Sequence, residues 1–162
     1  MIPVDDTDIL SMFGKVGSIS TLKRLFKELK VPSAVYEELL RAKEVGFSFV
    51  DDVFTDIEVI NLSEDEHKEY VSLINNEKYL HKGEVQGIII CKHRGGILLT
   101  NDKKAKNFCT KNGILYFDIK GILRALLLRD ILNEEEIQKL AARIEETDNT
   151  TIKGLEEIFK VR

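Results

Sequence analysis

An α/β fold is predicted by three features of this sequence, as a three-layer α/β/α sandwich around a mostly parallel central sheet. Short apolar runs alternate with helical patterns along most of the chain. The runs are continuous, as in Ile97-Leu98-Leu99, which suits strands buried on both faces. Three of them end in acid: Met1-Ile2-Pro3-Val4 before Asp5-Asp6, Ile97 to Thr100 before Asn101-Asp102, and Ile114-Leu115-Tyr116-Phe117 before Asp118. Parallel strands gather their carboxyl ends on one side, where open α/β sheets place their chemistry. Asp6, Asp102 and Asp118 are therefore expected to converge although far apart in sequence.

Taken in order, Ile2 to Val4 is the first strand. Pro3 has no backbone donor, so this strand should begin at an edge or leave that position unpaired. Any of Asp5, Asp6 and Asp8 could cap a helix starting near Ile9. Ile19, Leu22, Leu25 and Phe26 share one face of a second helix, capped by Ser18 or Ser20. Leu29 to Val31 is a short strand ended by Pro32, which suits the first turn of the next helix. That helix spans Ser33 to Glu44, with Glu38 on the flank of an apolar stripe of Val35, Leu39 and Ala42. Gly46 to Thr55 has no clean period and reads as a loop with a short helix or strand.

Ile57 to Leu62 is a strand, and Ser63-Glu64-Asp65-Glu66 resembles a capping box that opens a helix through about Asn75. Lys82-Gly83-Glu84 opens a helix to Arg94. Glu84 stands in its first turn, where the helix dipole favours a carboxylate, and Gly87 would allow close packing. Gly95-Gly96 turns into the Ile97 strand. A helix from Lys103 to about Thr110 follows, then the turn Asn112-Gly113, the strand Ile114 to Phe117, and a helix across Ile122 to Arg129. Residues 133–162 read as a C-terminal helical extension of one domain covering 1–162, with Ile152 to Val161 weakly patterned.

The 162 residues are 43% hydrophobic and 32% charged, which marks a soluble globular class with a real core. No apolar run is long enough to cross a membrane, and the first residues form no basic leader, so a cytoplasmic location is expected. Cys91 and Cys109 have no metal-like spacing and are expected to be buried and reduced. The net charge of −4 argues against a broad basic face for nucleic acid. The charge is unevenly spread, however. Tyr79 to Gly113 carries Lys82, Lys92, Arg94, Lys103, Lys104, Lys106 and Lys111 against only Glu84 and Asp102. A basic rim beside an acidic pocket is compatible with this pattern.

No glycine-rich phosphate loop is present, and His67, His81 and His93 lack metalloprotease spacing and read as surface residues. A phosphotransfer receiver would need a late strand-end lysine that cannot be located. Carboxylates remain as the reactive set. Several held together repel one another unless a hard divalent cation sits among them.

Four stretches carry a resemblance: Val4-Asp5-Asp6-Thr7-Asp8-Ile9-Leu10, Val31-Pro32-Ser33-Ala34-Val35-Tyr36-Glu37-Glu38-Leu39, Lys82-Gly83-Glu84-Val85-Gln86-Gly87-Ile88, and Leu98-Leu99-Thr100-Asn101-Asp102-Lys103-Lys104-Ala105. In this order they resemble the PIN-domain family, in the branch related to the VapC-type toxin ribonucleases. The resemblance implies a PIN-like fold and places the family's acids on Asp6, Glu38, Glu84 and Asp102, with Asp118 as a secondary metal ligand. Thr7 falls where a hydroxyl steadies the first loop, and Asn101 stands beside the central aspartate. Asp8 stands where serine or asparagine is commoner, and Lys106 where arginine is usual.

The implied activity is Mg2+- or Mn2+-dependent endoribonuclease cleavage of RNA phosphodiesters, with Lys103 and Lys104 as candidates for phosphate contact. Also implied are a toxin role with a small antitoxin protein as partner, and a homodimer. The Phe47 to Phe54 region and the early helices are candidate dimer surfaces. A catalytically inactive RNA-binding or protein-assembly module of the same fold is the alternative.

Overall fold

The computed structural model describes residues 1–160; Val161, at the end of the weakly patterned segment, and Arg162 lie outside the described residues. The first strand, β1 (Ile2–Asp5), runs into α1 (Thr7–Lys15), followed by α2 (Ile19–Phe26) and β2 (Leu29–Pro32). Next come α3 (Ser33–Glu44), α4 (Phe49–Phe54), β3 (Ile57–Ile60) and α5 (Glu64–Asn76). The second half is α6 (Lys82–Arg94), β4 (Gly96–Leu99), α7 (Lys103–Asn112), β5 (Tyr116–Phe117), α8 (Ile119–Leu128), α9 (Glu134–Asp148) and a closing 3₁₀ helix, Leu155–Lys160. The five strands described pair in parallel in the order β3-β2-β1-β4-β5. This is the predicted sandwich. No described helix is long and apolar enough to cross a membrane.

One face of the sheet is covered by a core that includes Ile9, Phe13, Leu22, Val53, Ile122 and Ile144. The other packs Val4 and Leu98 against Val85, Ile88, Ile89 and Cys109. Helix α6 lies close to the sheet because Gly87 has no side chain: a Cβ there would stand 2.7 Å from Leu98 Cδ1. Both cysteines are buried, and burial pushes each thiol up to about 12, so neither is a nucleophile.

Of the two alternatives for Pro3 the second holds: β1 is central, and its ladder with β2 is reduced to the Val4–Lys30 pair beside the donorless Pro3. Other expectations are corrected. Helices α1 and α8 begin earlier than expected because Asp6 and Asp118 cap them directly. Pro32 stands at the cap position of α3, one residue before its first turn. The Gly46 to Thr55 stretch forms α4. Its Val50 and Val53 are fully buried, and Gly14 makes room for Phe49 and Val53 against α1. Most of the apolar surface suggested for a dimer is thus the chain's own core, leaving Val45 and Phe47 exposed.

The capping box at α5 is present. Ser63 Oγ accepts from Glu66 N–H, and Glu66 Oε2 accepts from Ser63 N–H. Glu66 is buried and also takes Arg94 Nε–H at 2.8 Å and Nη2–H at 2.7 Å. The Arg94 guanidinium holds the Glu66 carboxyl down at about 2, with the Ser63 bonds adding and burial opposing. An acid depressed in the folded state stabilises above its unfolded pKa, and that stabilisation is lost as pH falls toward 2. Arg94→Met is therefore expected to cost on the order of 2 kcal/mol near neutral pH by leaving a buried carboxylate unpaired. The cost should shrink at about pH 3, where unfolded-state protonation already removes much of the benefit. Denaturant titrations at both pH values check this; an equal cost at both would contradict it.

Candidate active site

The parallel pairing of β1 with β4 sets Asp5 opposite Leu99. The next residue of each strand then meets its neighbour: Asp6 N–H donates to Leu99 O, and Thr100 Oγ donates to Asp6 Oδ2 at 2.9 Å. Asp6 Oδ1 accepts from Thr7 N–H at 2.7 Å as the cap of α1. Thr7 Oγ donates to Glu38 Oε2 at 2.5 Å, so the first loop and α3 are joined side chain to side chain. Asp102 caps α7 through Ala105 N–H, and its own N–H donates to Thr100 Oγ.

Helices α3 and α6 are locked together by a residue that spacing did not single out. Pro32 has no side-chain acceptor for the start of α3. Gln86 of α6 supplies one: its Oε1 accepts from Ala34 N–H at 2.9 Å and from Ser33 Oγ at 3.3 Å. Gly83 permits the approach, since a Cβ there would lie 2.8 Å from Val35 Cγ2 and 3.7 Å from Glu38 Oε1. Glu38 is thereby carried to the first turn of α6, where Glu84 Oε2 accepts from His81 N–H. Thr100, Gln86 and Asp8, whose charge acts on Asp6 and Glu84, are residues of the site that sequence reasoning missed. Thr100's signal was its place at the end of the central strand; Gln86 gave none.

The electrostatics tie these acids into one cluster. Burial, then the Asp8 and Glu84 charges, push the Asp6 carboxyl up to about 8, against the pull of the Thr100 and Thr7 bonds. Glu84 is raised by burial and then by Asp102 and Asp8, while His81 opposes. Asp8 is exposed as a whole, yet desolvation of its carboxyl raises it first, followed by Asp102, Glu38 and Asp148. Asp8 thus feels Glu38 and Asp102, and Glu84 and Asp8 act on Asp6, which links the four acids through Asp8 and Glu84. Among the described residues no lysine or arginine ion-pairs any of the five. Asp118 stands apart: Lys106 Nζ lies 3.1 Å from its Oδ2, and its Oδ1 accepts from Gly121 N–H. Asn101 Oδ1 faces Ile119 N–H at 3.4 Å on the same side. Lys103 and Lys104 are exposed on the first turn of α7.

Asp6 and Glu84, buried, and Glu38 and Asp102, half-buried, with no lysine or arginine ion pair among the described residues, are the kind of donors a hard divalent cation takes. Among the described residues no three His, Cys, Asp or Glu side chains are gathered as a ready metal cage. Magnesium is commonly held through one or two carboxylates and retained water, so the set fits that ion's habit.

The sequence pattern described as PIN domain matches residues 2–153. No functionally curated protein matches the chain. Among solved structures, that of VapBC2 from Rickettsia felis bound to a DNA fragment from their promoter is similar, with a TM-score of 0.57 and 19% identity. The match covers 73% of this chain and 98% of that one, and at this identity it speaks for the fold.

Proposed function

This chain belongs to the PIN-domain family, and on that premise we propose that it is a divalent-metal-dependent endoribonuclease. The observation that carries the reading is the acidic cluster of Asp6 and Asp102 beyond the strand ends with Glu38 of α3 and Glu84 of α6, none ion-paired to a lysine or arginine among the described residues. These four would hold Mg2+ or Mn2+, some through water. Such an ion supplies Lewis acidity and a nucleophilic water for phosphodiester hydrolysis. Thr100 and Thr7 orient Asp6 and Glu38, and Gln86 fixes the helices that present Glu38 and Glu84. Lys103 and Lys104 meet the phosphates of a single RNA strand. Asp118 is engaged by Lys106 and serves as a secondary ligand only if that ion pair opens.

Asp102→Asn is expected to lower divalent-dependent RNA cleavage by on the order of 10²–10³-fold while leaving the far-ultraviolet dichroism unchanged. Unaltered cleavage in the purified variant would refute the assignment. A toxin role with a small antitoxin partner, and a homodimer, belong to the same proposal and rest on membership of the PIN-domain family. The second reading is a non-catalytic RNA-binding or assembly module of the same fold, in which the acids hold no ion. Calorimetric titration with Mn2+ separates the two, since only the nuclease requires the ion to bind.

A further inference from the structure

A groove passes Asp8, the one member of the acidic cluster in its lining, and adjoins a cleft richer in amines. Near the cluster the groove is lined by Asp8, Ser11, Met12, Lys15, Asp148 and Thr150. Met12 and Thr150 are shared with a neighbouring cleft of about 300 Å³ that contains Asn101, Lys106, Lys120 and Lys153. The groove and the cleft therefore share part of their walls. Asp118 is the one carboxylate lining the second cleft, against three ammonium groups. Lys106 is paired with Asp118, and Lys120 with Glu157 outside the lining, while Lys153 has no ion pair among the described residues.

The wall bearing Lys153 is built rather than incidental. Ile152 is buried, and its N–H donates to Glu145 Oε2 at 2.9 Å. Gly154 then turns with φ +72°, and Lys120 Nζ would stand 3.1 Å from a Cβ placed there. That turn sets Gly154 against the Lys120 side chain, and Lys120 and Lys153 line one cleft with Asn101, the residue preceding Asp102. A polyanion lying in the groove meets acid at one end and amines at the other. The amines take a phosphate of a phosphodiester strand without a metal; a cation is needed only where the strand reaches the acid, as the ribonuclease reading requires.

We propose that the cleft of Lys106, Lys120 and Lys153 seats a backbone phosphate of single-stranded RNA flanking the bond at the acidic cluster. The segment following α9 is then part of the substrate groove. The inference rests on the ribonuclease reading for its orientation, but its test does not need cleavage. A fluorescein-labelled, mixed-sequence single-stranded RNA is titrated in EDTA with the full chain over a range of salt concentrations. In Lys120→Gln/Lys153→Gln the dissociation constant should rise on the order of tenfold at low salt, and the log–log salt slope should flatten by about 1. Lys68→Gln, exposed on α5 and outside the groove, should match wild type. A wild-type slope in the double variant, or no RNA binding by wild type, overturns the inference whether or not the protein cleaves RNA in Mg2+. A flattened slope in a protein that cleaves nothing keeps the groove and removes the ribonuclease reading.

Discussion

Replacing Asp6 by asparagine is expected to abolish divalent-dependent cleavage and to raise the melting temperature of the metal-free protein. Both effects follow from one arrangement. Asp6 is buried beside Asp8 and Glu84, which with its burial raise it to about 8. A buried charge without a counter-charge is a cost to the fold. Asparagine keeps the acceptor for Thr7 N–H and offers an NH2 to the Thr100 hydroxyl, so the cap and the strand-end contact survive. The variant should gain on the order of 1–3 kcal/mol, each kcal/mol being worth about 2–4 °C in a chain of this size. Mn2+ should raise the melting temperature of wild type, because an ion bound to the folded state alone stabilises it. It should do far less in the variant. Calorimetric scans with and without Mn2+ check this. Cleavage at the wild-type rate, or a variant that melts several degrees lower, would contradict the role given to Asp6.

Asp5→Val should have the opposite functional signature: a more stable protein that still cleaves. Asp5 is fully buried, and neither carboxyl oxygen has a hydrogen-bond partner among the described residues. Burial, with the neighbouring Asp6 charge, raises its pKa well above the ordinary carboxylate range, so it is held neutral. Valine has a similar size, prefers strands and needs no partner. Removing an unsatisfied buried group should stabilise by about 1–3 kcal/mol. This should appear as a higher urea midpoint with an unchanged m value. A loss of stability or of cleavage would mean that the Asp5 carboxyl has work that these contacts do not reveal. The pair of variants also separates two adjacent aspartates that look alike in sequence.

Much of the layout was legible in the chain. Continuous apolar runs identified the buried strands, because a strand covered on both faces has no polar side to alternate with. The capping box at Ser63 and the glycines after α6 and α7 marked helix ends, because those are local backbone requirements. Gly46 to Thr55 was not legible, since its side chains follow the neighbouring surface of α1 rather than a period of their own. Asp118 ended a strand in the same grammar as Asp6 and Asp102, yet Lys106, one α7 turn beyond Asp102, took its charge.

By itself, then, the sequence determined the fold class, the strand-end position of the acids and the pattern shared with the PIN-domain family. These depend on periodicity and short-range chemistry, which a linear order carries. Only the tertiary structure decided that Thr100 bonds Asp6, that Gln86 locks α3 to α6, and that Asp5 is buried without a partner. It also decided that the segment after α9 lines a cleft together with Asn101, Lys106 and Lys120. Each of these is a contact between side chains distant in sequence, and only strand register and helix packing bring such groups together.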